Sequence, residues 1–295
     1  MRWALNCSIL FQEIPILERP AAAAAAGFQH IEFWWPFPVS VPADGDVDAF
    51  VSAVGSAGVD LIGLNFAAGD MPGGDRGLVS WVGREAEFRD SVAVASGIAA
   101  RLGTRAFNAL YGNRIDAVDA AAQDELAVEN LAYAARQVEP LGGTVLVEPV
   151  SGAPRYPLRT TADVLAVIDR VPADNVRLLA DLYHLATNGD DVAAVIVRDI
   201  DRIGHVQIAD SPGRHEPGTG GLDITGHLAA LAAGGYDGYA ALEFSPATTT
   251  AAALAALDLT ALDPTALDPP ALRPTAPDPS APMPETAAQS TTTRS

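Results

Sequence analysis

Thr144-Val145-Leu146-Val147-Glu148-Pro149-Val150 is an apolar, β-branched run that closes on a carboxylate and is broken at once by proline. The same grammar returns downstream as Leu178-Leu179-Ala180-Asp181, His205-Val206-Gln207-Ile208 and Ala241-Leu242-Glu243-Phe244. Working outward, eight strand candidates fall at 3–10, 30–35, 60–66, 104–110, 144–150, 176–181, 204–209 and 239–244, each followed by a longer, Ala-rich segment. Two of those segments carry helical stripes: Phe88, Val92, Ala95, Ala99 and Leu102, then Val128, Leu131, Ala135 and Val138, the spacing of one buried helix face. Strands alternating with helices imply a parallel sheet. Eight alternations in about 250 residues, with no Gly-x-Gly-x-x-Gly turn after the first strand, predict an α/β fold of the closed (β/α)8 (TIM) barrel type. Pro20 fits this pattern as the first turn of a short helix running to Ala26, where proline is tolerated.

In such a barrel the site lies at the C-terminal ends of the strands, which singles out Glu148, Asp181, Gln207 and Glu243. One strand-end carboxylate could as well cap the next helix or meet an arginine. Three converging carboxylates repel one another and raise each other's pKa values unless a cation neutralises them. A divalent metal is therefore expected over these four residues, and their all-oxygen donor set favours Mg2+ or Mn2+ over zinc. His184, three residues beyond Asp181, is expected to donate a hydrogen bond to a substrate oxygen. The segment from Asp210 to Gly220 is unsuited to helix or sheet and must loop over the same face. Within it Arg214, with His215 beside it, offers the cation for a substrate carboxylate. The loop from Ala68 to Gly77 reads as a lid; Glu85 beyond it favours a helix dipole.

Composition narrows the chemistry. All 18 basic residues of this 295-residue chain are arginines, so Schiff-base, pyridoxal-phosphate and Walker-type chemistries lack their lysine. A net charge of -19 disfavours nucleic acid, and no stretch is long and apolar enough to span a membrane. The single cysteine, Cys7, supports neither a disulfide nor a cysteine-based zinc site. Without a leader-like start, the chain is expected to be cytoplasmic, acting on a small molecule, with a homo-oligomer left open. Five pentapeptides from Ala256 to Ser280, the last four containing proline, mark a change of composition. They place the barrel domain at 1–257 and predict a disordered low-complexity tail over 258–295.

The strings AAGDMPGGDRGL, GREAEFRD, HVQIADSPGRHEPGTG and ALEFSPATTTAA, with VEP at 147–149 and DLYH at 181–184, resemble the hydroxypyruvate isomerase family of xylose isomerase-like barrels. The resemblance spans about residues 2–257. It implies Glu148, Asp181, Gln207 and Glu243 as metal ligands, and Glu148 with Glu243 as the acid/base pair of an aldose-ketose type isomerisation. Two positions depart from the family pattern: Gly221 where a glutamate is usual, and Ser245 where a basic residue is frequent. They extend the expected substrate from hydroxypyruvate to a longer 2-oxo sugar acid. A related ketose 3-epimerase would carry histidine at Gln207. An endonuclease IV-like enzyme would need clustered zinc-binding histidines, against five scattered ones here. A non-enzymatic metabolite- or partner-binding barrel is separated by a turnover assay.

Overall fold

A computed structural model describes residues 1–262. Eight strands, β1 (Arg2–Asn6), β2 (His30–Phe33), β3 (Asp60–Asn65), β4 (Ala106–Asn108), β5 (Thr144–Val147), β6 (Val176–Asp181), β7 (Ile203–Ile208) and β8 (Tyr239–Leu242), form a closed barrel in chain order. Every pairing is parallel, and β1 closes against β8 through Arg2 to Leu5 facing Tyr239 to Leu242. The helices are α1 (Arg19–Ala25), α2 (Asp44–Ala57), α3 (Glu85–Leu102), α4 (Ala120–Val138), α5 (Thr161–Ile168), α6 (Leu182–Asn188), α7 (Val192–Asp199), α8 (Ile224–Ala233), α9 (Thr250–Ala256) and α10 (Leu259–Leu262). Among the described residues no helix is long and apolar enough to cross a membrane.

Local chemistry explains the element ends. Pro20 sits in the first turn of α1, as expected. Thr160 and Asp163 form a reciprocal capping box that starts α5. Gly58 and Gly103 end α2 and α3 in the left-handed conformation, at φ of +68° and +79°. The α3 stripe is buried through Phe88, Val92, Ala95 and Ala99. On α4, Leu131, Ala135 and Val138 are buried while Val128 is only partly so.

The main apolar core lies between sheet and helices. A separate small cluster, Ala4, Ile62 and Ala241, fills the lower barrel interior. Above it the interior is polar, with Asn6, Glu32, His205 and Gln207 all buried.

The first of the five pentapeptides behaves unlike the compositional reading of the tail. Asp258 caps a helical turn by accepting from the backbone of Thr260 and Ala261, and Leu262 is buried. That pentapeptide, ALDLT, has leucine where the next has proline, so its backbone is free to start the helical turn that buries Leu262 of the next pentapeptide. The rest of the expected tail, 263–295, lies outside the described residues.

Candidate active site

Each strand carries a buried polar side chain at its C-terminal end or within one residue of it: Asn6, Glu32, Asn65, Asn108, Glu148, Asp181, Gln207 and Glu243. The sequence reading found the last four and missed the first four. Three of the missed residues, Asn6, Glu32 and Asn108, hydrogen-bond to Glu243, Gln207 and Glu148, respectively.

The three expected carboxylates are anchored in the same way, with one oxygen held by the protein. Asn108 donates to Glu148 Oε1 at 2.7 Å. Asp181 Oδ1 accepts from the backbone amides of Tyr183 and His184 at 2.9 and 3.2 Å, so this residue does cap the following helix α6. Glu243 Oε1 accepts from the Trp34 indole at 2.6 Å and from Asn6 at 3.3 Å. The second oxygens of Asp181 and Glu243 face Arg214, whose Nη2 lies 3.1 Å from Asp181 Oδ2 and 3.0 Å from Glu243 Oε2. The latter contact is one of charge alone, because the N–H is not aimed at Glu243 Oε2 and that buried oxygen has no hydrogen bond among the described residues.

Arg214 therefore spends its charge on protein carboxylates. It holds a positive φ of 57°, uncommon for a side-chain-bearing residue. Its carbonyl accepts from the Ser245 amide at 2.7 Å. His215, expected as a substrate contact, places Nδ1 2.8 Å from the Ser245 carbonyl and does not line the cavity described below. Ser245 thus pins the strand-seven loop through its backbone.

His184 is buried, and its ring tautomer follows from its neighbours. The Ser151 amide, which can only donate, points at Nδ1 from 3.1 Å. Burial pulls the ring pKa down to about 4, with Asp181 opposing the shift. The imidazole is consequently neutral with its proton on Nε2. Glu148, Asp181 and His184 bring one potential ligand atom each within 4.8 Å of one another. Nε2 carries a hydrogen, however, so His184 offers this space a donor instead of a lone pair.

Beneath the carboxylates, Glu32 organises a buried network. It accepts from Gln207 Nε2 at 2.6 Å and Asn6 Nδ2 at 2.9 Å, and its Oε2 lies 2.6 Å from His205 Nε2. Burial raises the Glu32 pKa, but the His205 ring and these amide donors outweigh it and hold the carboxyl below its ordinary range. With its amide nitrogen on Glu32, Gln207 is left with a buried Oε1 that has no partner among the described residues.

The donor chemistry fits a hard divalent cation. Among the described residues, buried Gln207 Oε1 and Glu243 Oε2 lack hydrogen bonds, and oxygen is the ligand such ions take. Burial and then the Asp181 carboxylate push Glu148 up to about 8. Burial pushes Glu243 well up despite Arg214. Ionised together, the three carboxylates against one guanidinium would leave two negative charges.

A profile of the xylose isomerase-like TIM barrel family matches residues 20–260. The chain belongs to that family. A Streptomyces coelicolor protein named "Putative hydroxypyruvate isomerase" is 51% identical over 253 residues, covering 83% of this chain and 91% of the relative. The Escherichia coli hydroxypyruvate isomerase is 34% identical, covering 88% and 98%, respectively. A 2-oxo-tetronate isomerase of Cupriavidus necator is 36% identical, covering 87% and 97%. Among solved structures, one titled AP endonuclease, family 2, from Brucella melitensis superimposes with a TM-score of 0.79 at 35% identity, over 86% of this chain and 96% of that one. These relationships identify the present xylose isomerase-like barrel as an isomerase of the hydroxypyruvate isomerase kind.

In this family member the mouth of the barrel opens into a cavity of about 920 Å3. Glu148, His184, Arg214 and Glu243 line its floor, Trp34, Trp35 and Phe37 one wall, and Met71, Arg76 and Arg84 another. The loop expected as a lid is ordered by its own contacts: Asp75 Oδ2 accepts from the Asp70 amide at 2.8 Å, and the Gly77 amide donates to the Ala68 carbonyl at 3.0 Å.

Proposed function

We propose that the chain interconverts hydroxypyruvate and 2-hydroxy-3-oxopropanoate, with Mg2+ or Mn2+ held by Glu148, Asp181, Gln207 and Glu243. The carrying observation is that the protein anchors one oxygen of each carboxylate. The second oxygens of Asp181 and Glu243 share the single guanidinium of Arg214, so with all three carboxylates ionised the site would carry two net negative charges, the charge a divalent ion brings. When bound, the cation supplies polarisation of the substrate carbonyl and stabilisation of negative charge on its oxygen.

The side chains then divide the proton work. Glu148 or Glu243 removes a proton from the hydroxyl-bearing carbon, and the electron pair forms the double bond of a cis-enediolate as charge moves to the former carbonyl oxygen. A carboxylic acid of the same pair returns a proton to the neighbouring carbon. The hydroxyl proton passes between the two oxygens, assisted by the His184 Nε2–H. No atom is gained or lost, and no external oxidant is needed. Burial that raises the Glu148 carboxyl suits a group that must hold a proton between the two steps.

The cavity of about 920 Å3 is several times the size of a three-carbon acid, which favours a second reading. The same carbonyl shift on a four-carbon 2-oxo sugar acid would accord with the 2-oxo-tetronate isomerase among the relatives. Incubation of the purified protein with hydroxypyruvate, a 2-oxo-tetronate and a ketose, with Mg2+ or Mn2+, separates these readings by NMR of the products. Turnover of either acid is expected. Epimerisation of the ketose with neither acid consumed would overturn the proposal.

Glu32 is expected to set the Gln207 amide. Glu32→Gln removes the acceptor-only group that fixes its orientation, so Mn2+ affinity of the metal-free protein should fall roughly 10- to 100-fold. Calorimetric titration with Mn2+ measures this. Unchanged affinity at a preserved melting temperature would remove Glu32 from the account.

A further inference from the structure

Four arginines line the cavity, Arg19, Arg76, Arg84 and Arg214, and an acid substrate needs one of them for its carboxylate. Arg214 already faces Asp181 and Glu243. Arg84 grips Glu87 through Nε and Nη2 at 2.6 and 2.7 Å and reaches Asp75 through Nη1 at 3.2 Å. Both have spent their charge.

Arg19 and Arg76 contact backbone carbonyls only, and neither has an ion pair among the described residues. They differ in what they have left to donate. Arg19 gives Nε to Ile14 and Nη1 to Cys7 and Ser8, so its remaining nitrogen, Nη2, has no free neighbour with which to form a fork. Arg76 gives Nη1 to the carbonyls of Met71 and Asp75, at 2.9 and 2.6 Å. Its Nε and Nη2 make no hydrogen bond among the described residues, and they form the planar edge that binds a carboxylate through two parallel bonds.

The backbone beneath Arg76 is fixed. Gly77 has φ of +115° and bridges Tyr111, and a Cβ there would overlap the Leu110 carbonyl. The nearest competing carboxylate in sequence, Asp75, is occupied by Arg84 and the Asp70 amide.

We infer that Arg76 binds the substrate carboxylate through Nε and Nη2 and makes the cavity selective for 2-oxo and 2-hydroxy acids over uncharged sugars. This role rests on the proposed acid substrate. It assigns the recognition task, expected of Arg214 and His215 on sequence, to the loop between β3 and α3.

The test uses D-glycerate, an inert hydroxy acid, and glycerol, in which a hydroxymethyl group replaces the carboxylate. Calorimetry on the Mg2+-supplemented protein should show Arg76→Gln weakening glycerate binding roughly 10- to 100-fold, as expected for a lost charge-assisted pair, with glycerol binding and melting temperature unchanged. Arg76→Lys should recover part of the loss, keeping charge without the fork. In turnover, the KM for hydroxypyruvate should rise in Arg76→Gln far more than kcat falls. Unchanged glycerate affinity in Arg76→Gln, an equal loss for glycerol, or a loss seen in Arg19→Gln instead would overturn the assignment. Failure of the native protein to turn over any 2-oxo acid, with glycerate binding still dependent on Arg76, would overturn the proposed reaction and leave the carboxylate site standing.

Discussion

Replacing Glu148 or Glu243 with glutamine should lower kcat for hydroxypyruvate by roughly two to four orders of magnitude while Mn2+ still binds. The amide keeps the size and one ligand oxygen but has no basic lone pair to take a proton, and loss of a general base carries a penalty of about that size. The two variants should differ in stability. Glu243 Oε1 accepts from Trp34 and Asn6, and an amide turned the wrong way would set N–H against N–H there. Glu148 Oε1 meets the Asn108 amide, so Glu148→Gln with its oxygen turned to the metal sets its N–H against one donor where Glu243→Gln faces two. Near-normal turnover in both variants would transfer the proton work elsewhere, with His184 next to be tested.

Exhaustive chelation should abolish turnover, Mg2+ or Mn2+ should restore it, and the metal-free protein should become less stable as pH rises from about 6.5 to about 8. The signs of two shifts select that window. A carboxyl whose folded pKa is raised, as for Glu148 at about 8 and Glu243 well above its ordinary value, keeps its proton in the native state after the unfolded chain has released it. Stability then falls with rising pH, from the unfolded carboxylate range to the folded pKa. His184, lowered to about 4, acts oppositely: the unfolded chain binds the extra proton, so stability rises with pH until about 6.5. Above that pH the carboxylates act without opposition from His184. One such group, at about 1.4 kcal/mol per pH unit, accounts for about 2 kcal/mol across the window, or roughly 4–8 °C in Tm for a chain of this size. Thermal melts at pH 6.5 and 8, with and without Mn2+, should show the slope only without metal. A flat Tm without metal, or full turnover in protein shown by elemental analysis to be metal-free, would count against the charge accounting.

The barrel was legible because alternating apolar runs and Ala-rich stripes leave few other ways to bury both. Half of the polar strand ends were legible as well. Glu148, Asp181, Gln207 and Glu243 follow or interrupt short runs that stop close by. Asn6, Glu32, Asn65 and Asn108 were hidden because apolar side chains continue past them: Ile9 and Leu10, Trp34 and Trp35, Phe66, and Leu110. Those residues lie in the loops above the barrel, where several are buried. Apolar content alone therefore extended the strand candidates over the polar residue that ends each pairing. A single polar side chain inside such a run was the available signal. The division of labour among the arginines was not legible, because Arg76, Arg84 and Arg214 carry the same charge in sequence. Only the hydrogen bonds separate those already committed from the one with a free edge.

The most direct test of the enediolate account is solvent exchange. Native protein with Mg2+ or Mn2+ is incubated with hydroxypyruvate in deuterated water, and the substrate and product are followed by NMR. Deuterium should enter at the carbon next to the carbonyl, with incorporation lost in Glu148→Gln or Glu243→Gln at retained metal. Conversion that leaves the carbon-bound hydrogens unlabelled throughout would indicate direct hydrogen transfer and contradict proton work by the two glutamates.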